Sequence, residues 1–291
     1  MKRRTALFMP GNNPGFLING GIHGADGIIF DLEDAVAPRE KDAARTLTKY
    51  ALRDMDYPCE RLVRINDIST PYWKIDLDAV VPSKPDGIVL PKCERASDVI
   101  EFDEYITSVE ERCGLPVGEI KFMCLIETCL GVRNAYEIAS ASKRVDSIAL
   151  GCVDLTFDMG TEISDEGIET QYSRAKLLVD GRAAEVYVYD TSYTDVENIE
   201  GLIKWCKIAK QLGYDGRPVI SPSHVEIVNE IFSPSAEEIA YAEEVVEAIE
   251  EGRRLGKGAV TLRGKMLDVP HIKRAEQILK VARQLNGGAR K

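Results

Sequence analysis

Eight apolar runs punctuate the first 222 residues, each ending in polar or turn-forming positions: Thr5–Pro10, Gly27–Glu33, Arg61–Asn66, Gly87–Lys92, Phe122–Thr128, Ser147–Asp154, Glu185–Asp190 and Pro218–Pro222. Their continuous apolar character predicts strands covered on both faces, as parallel sheets require. Helical periodicity falls between several of them, at Glu40–Leu52 (apolar or small at Ala43, Ala44, Leu47 and Ala51), Ala96–Glu111, Val132–Ser140 and Val196–Leu212. Strand, crossover helix and parallel strand repeated eight times is the pattern of a (β/α)8 TIM barrel. A doubly wound open sheet could hold the same strands, but no GxGxxG follows the first one.

Beyond the eighth run, Ser235 with Glu238 three residues later forms a capping box. It predicts a helix to about Arg254 that would be the eighth of the barrel. This reading divides the chain into a barrel domain, 1–254, and a C-terminal extension, 255–291. The extension has a short alternating stretch, Ala259–Leu262, then "GKMLD" at 264–268. Pro270 suits the first turn of a last helix with apolar positions Ile272, Ala275, Ile278, Leu279, Ala282 and Leu285. An addition of this kind reads as a lid or arm.

The net charge of −11 argues against a nucleic-acid surface, which needs clustered Lys and Arg. No apolar run reaches the roughly 20 residues of a membrane span, and the basic N-terminus lacks a signal-peptide core. Seven cysteines without a CxxC pair read as reduced thiols. A cytoplasmic protein is expected, and an anionic substrate would be met by local cations or a metal.

In a barrel the chemistry collects at the C-terminal strand ends, and here nearly every end carries a polar group. Glu127 ends the fifth run and Asp154 the sixth. Adjacent strands lie about 4.8 Å apart, so the two carboxylates can grip one ion, with waters and substrate oxygens completing a Mg²⁺ octahedron; the alternative is two solvated acids. Arg64 is either a salt-bridge partner of the acids Asp31, Glu33 and Asp34, or a clamp on a substrate carboxylate, or both. If the backbone stays extended, Asp31 and Glu33 share one side and Asp34 points away. Lys92 is a second anion contact or a rim charge. "PGNNPG" after the first run is a phosphate nest or a simple turn. Asp268, just before Pro270, reads as a helix N-cap. Of the three histidines only His224 is near a strand end, which speaks against a His-centred mechanism.

Seven segments in order, "RRTALFMPGNNP", "GADGIIFDLEDAVAPREKDAAR", "LVRIN", "GIVLPK", "LIETCLGVRNAYEIA", "GCVDLTFDMG" and "GKMLDVPHIKRA", resemble the citrate lyase beta subunit and its relatives, the malyl-CoA and citramalyl-CoA lyases. The resemblance spans nearly the whole chain. It implies a TIM barrel with a C-terminal lid, a homotrimer or hexamer, Mg²⁺ held by Glu127 and Asp154, and a keto-acid held by Arg64. It implies that Glu33 and Asp34 support metal-bound water and the arginine. It also turns Asp268 from a helix cap into a catalytic acid/base that enters a neighbouring copy's site. Two departures stand out. Many relatives carry Gly-Ala-Glu-Asp where this chain has Gly151-Cys152-Val153-Asp154, and related aldolases place a His where Asp34 stands.

The implied reaction is carbon–carbon cleavage of a 3-hydroxy-3-carboxy acyl thioester, carried on CoA or an acyl-carrier protein, to a 2-oxo acid and a shorter thioester. Two enzymes fit: a citrate lyase beta subunit, with an acyl-carrier protein and a CoA-transferase subunit as partners, or a free-standing citramalyl-CoA or malyl-CoA lyase. A non-catalytic binding or regulatory barrel is the third reading.

Overall fold

In the computed structural model, residues 2–254 and 260–287 are described. The eight strands are β1 (Thr5–Pro10), β2 (Gly27–Asp31), β3 (Glu60–Arg64), β4 (Gly87–Leu90), β5 (Lys121–Ile126), β6 (Val145–Leu150), β7 (Tyr187–Tyr189) and β8 (Arg217–Val219). All neighbours pair in parallel, in the order β7-β6-β5-β4-β3-β2-β1-β8. A parallel bridge between Tyr189 and Gly216 joins the two ends. The Asp190 N–H donates to the Gly216 carbonyl at 3.0 Å and the Asp215 N–H to the Val188 carbonyl at 2.9 Å, which closes the barrel. Among the described residues no helix is long and apolar enough to cross a membrane.

Strand period two fills the interior. Ala6, Ile29, Leu62, Val89, Met123, Leu125, Ala149 and Tyr189 form one buried cluster, with Phe8 and Tyr187 packed against it. One more step of two along each strand gives Pro10, Asp31, Arg64, Glu127, Gly151 and Thr191. The residues that follow the core inward are therefore the ones that reach the mouth.

The helices of this unit are α1 (Pro14–Asn19), α2 (Lys41–Asp54), α3 (Trp73–Val80), α4 (Ala96–Arg112), α5 (Cys129–Arg133), α6 (Ala135–Ala139), α7 (Cys152–Met159), α8 (Gln171–Ala183), α9 (Ile199–Leu212) and α10 (Pro222–Phe232). Two positions differ from the sequence expectation. The predicted sixth run continued to Asp154, but the strand stops at Leu150. Gly151 ends it and α7 begins at once, so Asp154 sits in the first turn of a helix. The helix that follows β8 is α10, opened by Pro222, and it is tied back by Asn229. The Asn229 side chain meets Thr5 Oγ1 at 2.8 Å and donates to the Gly24 carbonyl at 2.8 Å.

The contacts divide the chain at Glu230/Ile231 into two compact units. The second contains α11 (Ala236–Arg254), the antiparallel hairpin β9 (Val260–Leu262) and β10 (Lys265–Leu267), and α12 (Val269–Gly287). The expected capping box is present: the Ser235 N–H donates to Glu238 Oε2 and the Glu238 N–H to Ser235 Oγ. The helix it opens, expected as the barrel's eighth, packs with α12 around Ala242, Val245, Ile249, Leu267 and Ala275. Arg263 and Gly264 both have positive φ (47° and 77°), as a tight two-residue hairpin demands. Ala259, the start of the expected alternating stretch, and the expected boundary at 255 lie outside the described residues.

Candidate active site

A cavity of about 340 Å³ opens at the C-terminal end of the barrel, lined among others by Phe8, Asp31, Asp34, Arg64, Glu127 and Asp154. Cross-strand register builds its first element. Asp31 and Arg64 are direct partners on β2 and β3. Arg64 Nε donates to Asp31 Oδ1 at 2.8 Å and Nη2 to Oδ2 at 2.5 Å. This fork occupies one edge of the guanidinium, while its face lies 4.8 Å from the Phe8 ring centroid. Burial opposes the Arg64 charge, but Asp31, Glu33 and Glu127 overcome it and carry its pKa above the ordinary value.

The acid turn follows. Beyond Asp31 the chain leaves the strand and bends, with the Val36 N–H on the Glu33 carbonyl and Asp31 itself accepting from the Glu33 and Ala35 N–H groups. Lys41 braces the bend from behind, its ammonium donating to the Leu32 and Glu33 carbonyls at 2.7 Å each. The expectation that Asp34 points away assumed an extended backbone. The bend instead puts Asp34 on the cavity wall, its Oδ2 3.9 Å from Arg64 Nη1 and 3.6 Å from Lys92 Nζ.

Glu33 is buried behind that wall. Its Oε1 accepts from Lys92 Nζ at 2.6 Å, while Oε2 lies 3.1 Å from Arg64 Nη1 yet makes no hydrogen bond. Burial raises the Glu33 pKa. Lys92 is thus committed to the acid turn and, unlike Arg64, is not among the cavity-lining residues.

Glu127 follows β5 and is almost wholly buried. Its Oε1 accepts from the Lys92 N–H at 2.8 Å. Its Oε2 lies beside Gly151, where a Cβ would come within 2.4 Å of it. Desolvation, reinforced by Glu33 and Asp154, pushes its pKa up to about 7. Asp154 lines the cavity from α7, whose first N–H, that of Cys152, donates to Thr191 Oγ1 at 3.0 Å. The first turn of a helix is also where a carboxylate is electrostatically favoured.

These residues fit a divalent cation. Two side-chain cations face five carboxylates around one mouth, two of those carboxylates have raised pKa values, and one buried oxygen lacks a hydrogen-bond partner. Among the described residues no group of three or more His, Cys, Asp or Glu side chains could hold an ion. Glu127 and Asp154 both line the cavity; they would supply two carboxylates and leave the other positions to water and substrate, the arrangement that suits Mg²⁺.

Asp268 lies in the second unit, exposed, at the N-terminus of α12. It accepts from the His271 backbone N–H at 3.4 Å, so the cap is real, and its Oδ1 meets His271 Nδ1 at 2.5 Å. The bond with His271 lowers the Asp268 pKa. His224 is buried against the Val196 carbonyl and does not line the cavity. Phe8 and Gly151 also line the cavity, beside the polar strand ends. Both lie on the inward alternation, and counting by two from Ala6 or Ala149 would have found them.

Similar proteins carry the same architecture. A family model described as HpcH/HpaI aldolase/citrate lyase matches residues 4–222. A citrate lyase subunit beta from Leuconostoc mesenteroides subsp. cremoris is 43% identical, over 96% of this chain and 93% of that one. A (3S)-malyl-CoA thioesterase from Cereibacter sphaeroides is 35% identical, over 95% and 93%. Among solved structures, protein CitE from Mycobacterium tuberculosis, in complex with magnesium, acetoacetate and coenzyme A, superposes with a TM-score of 0.77. It is 30% identical, over 96% of this chain and 97% of that one.

Proposed function

Because the chain belongs to the HpcH/HpaI aldolase/citrate lyase family, we propose that it is a Mg²⁺-dependent carbon–carbon lyase acting as a citrate lyase beta subunit. It cleaves a citryl thioester to oxaloacetate and an acetyl thioester. The observation that carries this reading is the convergence of Arg64, Glu127 and Asp154 on one cavity.

Glu127 and Asp154 would hold Mg²⁺, which when bound lowers the pKa of the substrate hydroxyl and stabilises charge on its oxygen as the carbon–carbon bond breaks. Arg64 binds the carboxylate next to that carbon. Its Asp31 fork sets the orientation before substrate arrives, so little ordering is left to binding. Phe8 and the barrel interior beneath keep water from the reacting end. The bond's electron pair passes to the thioester side as an enolate, and Asp268 returns a proton to its carbon. Held low by His271, Asp268 starts as a carboxylate; it takes the proton that the substrate hydroxyl loses and hands that same proton to the enolate carbon, which returns it to its starting state.

On this reading the substrate is carried by an acyl-carrier protein, a CoA-transferase subunit is the second partner, and the chain assembles as a homotrimer or hexamer in the cytoplasm. Asp268 of one copy then serves the cavity of another. The 43% identity to a citrate lyase subunit beta, against 35% to a malyl-CoA thioesterase, favours citryl over malyl substrates.

The test incubates the purified protein with Mg²⁺ and citryl-CoA, citramalyl-CoA or malyl-CoA and measures 2-oxo acid release. Oxaloacetate from citryl-CoA is expected. Faster release of pyruvate or glyoxylate would move the chain to the free-standing lyases. No release from any of the three, or an unaffected Glu127→Ala/Asp154→Ala double variant, would overturn the proposal.

A further inference from the structure

Lys92 occupies a backbone position that a lysine rarely takes. Its φ is +48°, in the left-handed region, directly after Pro91. A Pro followed by positive φ is the geometry of a tight turn, in which glycine or asparagine would sit without strain. Glycine would also keep the N–H that holds Glu127. What glycine lacks is the ammonium, and that group contacts Glu33 at 2.6 Å and Asp34 at 3.6 Å without lining the cavity.

The neighbouring geometry gives the ammonium a task. Arg64 uses its Nε–H and one Nη2 N–H on Asp31, so Nη1, with both N–H groups outside that fork, is the nitrogen best placed for a substrate carboxylate. Glu33 Oε2 already lies 3.1 Å from Nη1 but is not aligned to bond it, and it has no other partner. A buried carboxylate oxygen in that position would close on the guanidinium if it were free to turn. The carboxylate's other oxygen, Oε1, is engaged by Lys92 at 2.6 Å.

We propose that Lys92 is a positioning residue: by restraining Glu33 it keeps Arg64 Nη1 open for the substrate carboxylate, and it does not touch the substrate itself. This rests on reading the cavity as an oxo-acid and cation site.

Binding of oxaloacetate is measured by calorimetry at saturating Mg²⁺, and Mn²⁺ binding separately by EPR, on Lys92→Met, Glu33→Gln and the double variant. Lys92→Met should weaken oxaloacetate binding about tenfold, the scale of one charged hydrogen bond, because Glu33 now competes for Nη1. Adding Glu33→Gln removes the competitor, so the double variant should bind better than Lys92→Met, within about threefold of Glu33→Gln alone. Lys92→Gly, which relieves the backbone and keeps the N–H, should match Lys92→Met for oxaloacetate and keep wild-type Mn²⁺ affinity. Lys92→Arg should rescue in part. Additive losses in the double variant would mean direct substrate contact, and no effect of Lys92→Met or Lys92→Gly would make Lys92 a rim charge; either overturns the inference. If the wild-type protein bound neither Mn²⁺ nor oxaloacetate, the functional reading itself would fail instead.

Discussion

Asp31 and Arg64 are paired in register on adjacent strands and joined by two hydrogen bonds, one at each nitrogen of the guanidinium edge. Asp31 is buried, and the Arg64 side chain keeps only a small exposed part, on the cavity wall. Buried ion pairs contribute little net stability against apolar isosteres, but breaking one by removing a partner is costly. Asp31→Asn should therefore destabilise the protein by about 3 kcal/mol in urea unfolding. It should also weaken oxaloacetate binding, because Arg64 loses its orientation. An unchanged unfolding midpoint would show that the arginine finds another partner.

Glu127 makes stability depend on pH in the metal-free protein. Its pKa is raised from 4.5 to about 7 by burial first and neighbouring acids second. For a carboxylate raised in the folded state, the cost of ionisation is absent below the unfolded pKa, grows between 4.5 and about 7, and is complete above. In EDTA, Glu127→Gln should match the parent at pH 4 and exceed it at pH 8, by on the order of 3 kcal/mol. Saturating Mg²⁺ at pH 8 should reverse the order, because glutamine gives up a ligand. Parallel curves in EDTA across that window would contradict the raised value.

Gly151→Ala tests the packing behind Glu127. The added methyl would lie 2.4 Å from Oε2 and 2.7 Å from the Glu127 Cβ, so the carboxylate must move. Mn²⁺ affinity should fall at least about tenfold, the usual scale for disturbing a ligand's support, with circular dichroism unchanged. Wild-type affinity would mean that Oε2 is not directed at the ion.

Asp268 and His271 should separate chemistry from binding. Asp268→Asn should cut turnover by about 100-fold or more, the usual scale for acid–base groups, and leave Mn²⁺ and oxaloacetate binding intact. Since His271 lowers the Asp268 pKa, His271→Gln should move the limb of the pH–rate profile that reports Asp268 upward. A limb that stays in place would detach the histidine from the acid.

Much of this was legible because a parallel barrel writes itself into sequence. Strands such as Gly27–Asp31 and Gly87–Leu90 are buried along their whole length and show as unbroken apolar runs. Arg64, Glu127 and Asp31 were visible as polar residues ending such runs. Strand alternation alone does not give the facing of Asp34, because facing depends on where a strand bends, and the bend is held by Lys41 from another element. The sequence puts Asp154 on a strand and the structure on a helix, because Cys152–Leu155 is nearly as apolar as a strand. The cue was Gly151, which stops the ladder. Helix α8 carries Arg174 inward to Asp190, which Arg217 also meets. A buried charge interrupts the apolar stripe that periodicity looks for. Helix α10 left its mark in Pro222, which fits a first helical turn as well as a strand end.

The bare Cα at position 151 has a use outside this molecule. Glu127 keeps its place because the facing strand offers it no side chain, so the two positions are spatially coupled across about 24 residues of sequence. In any chain aligned to this one, a residue larger than glycine there would signal a carboxylate held elsewhere or a different ion. A single column of letters would then sort barrels that share this cation geometry from those that have abandoned it.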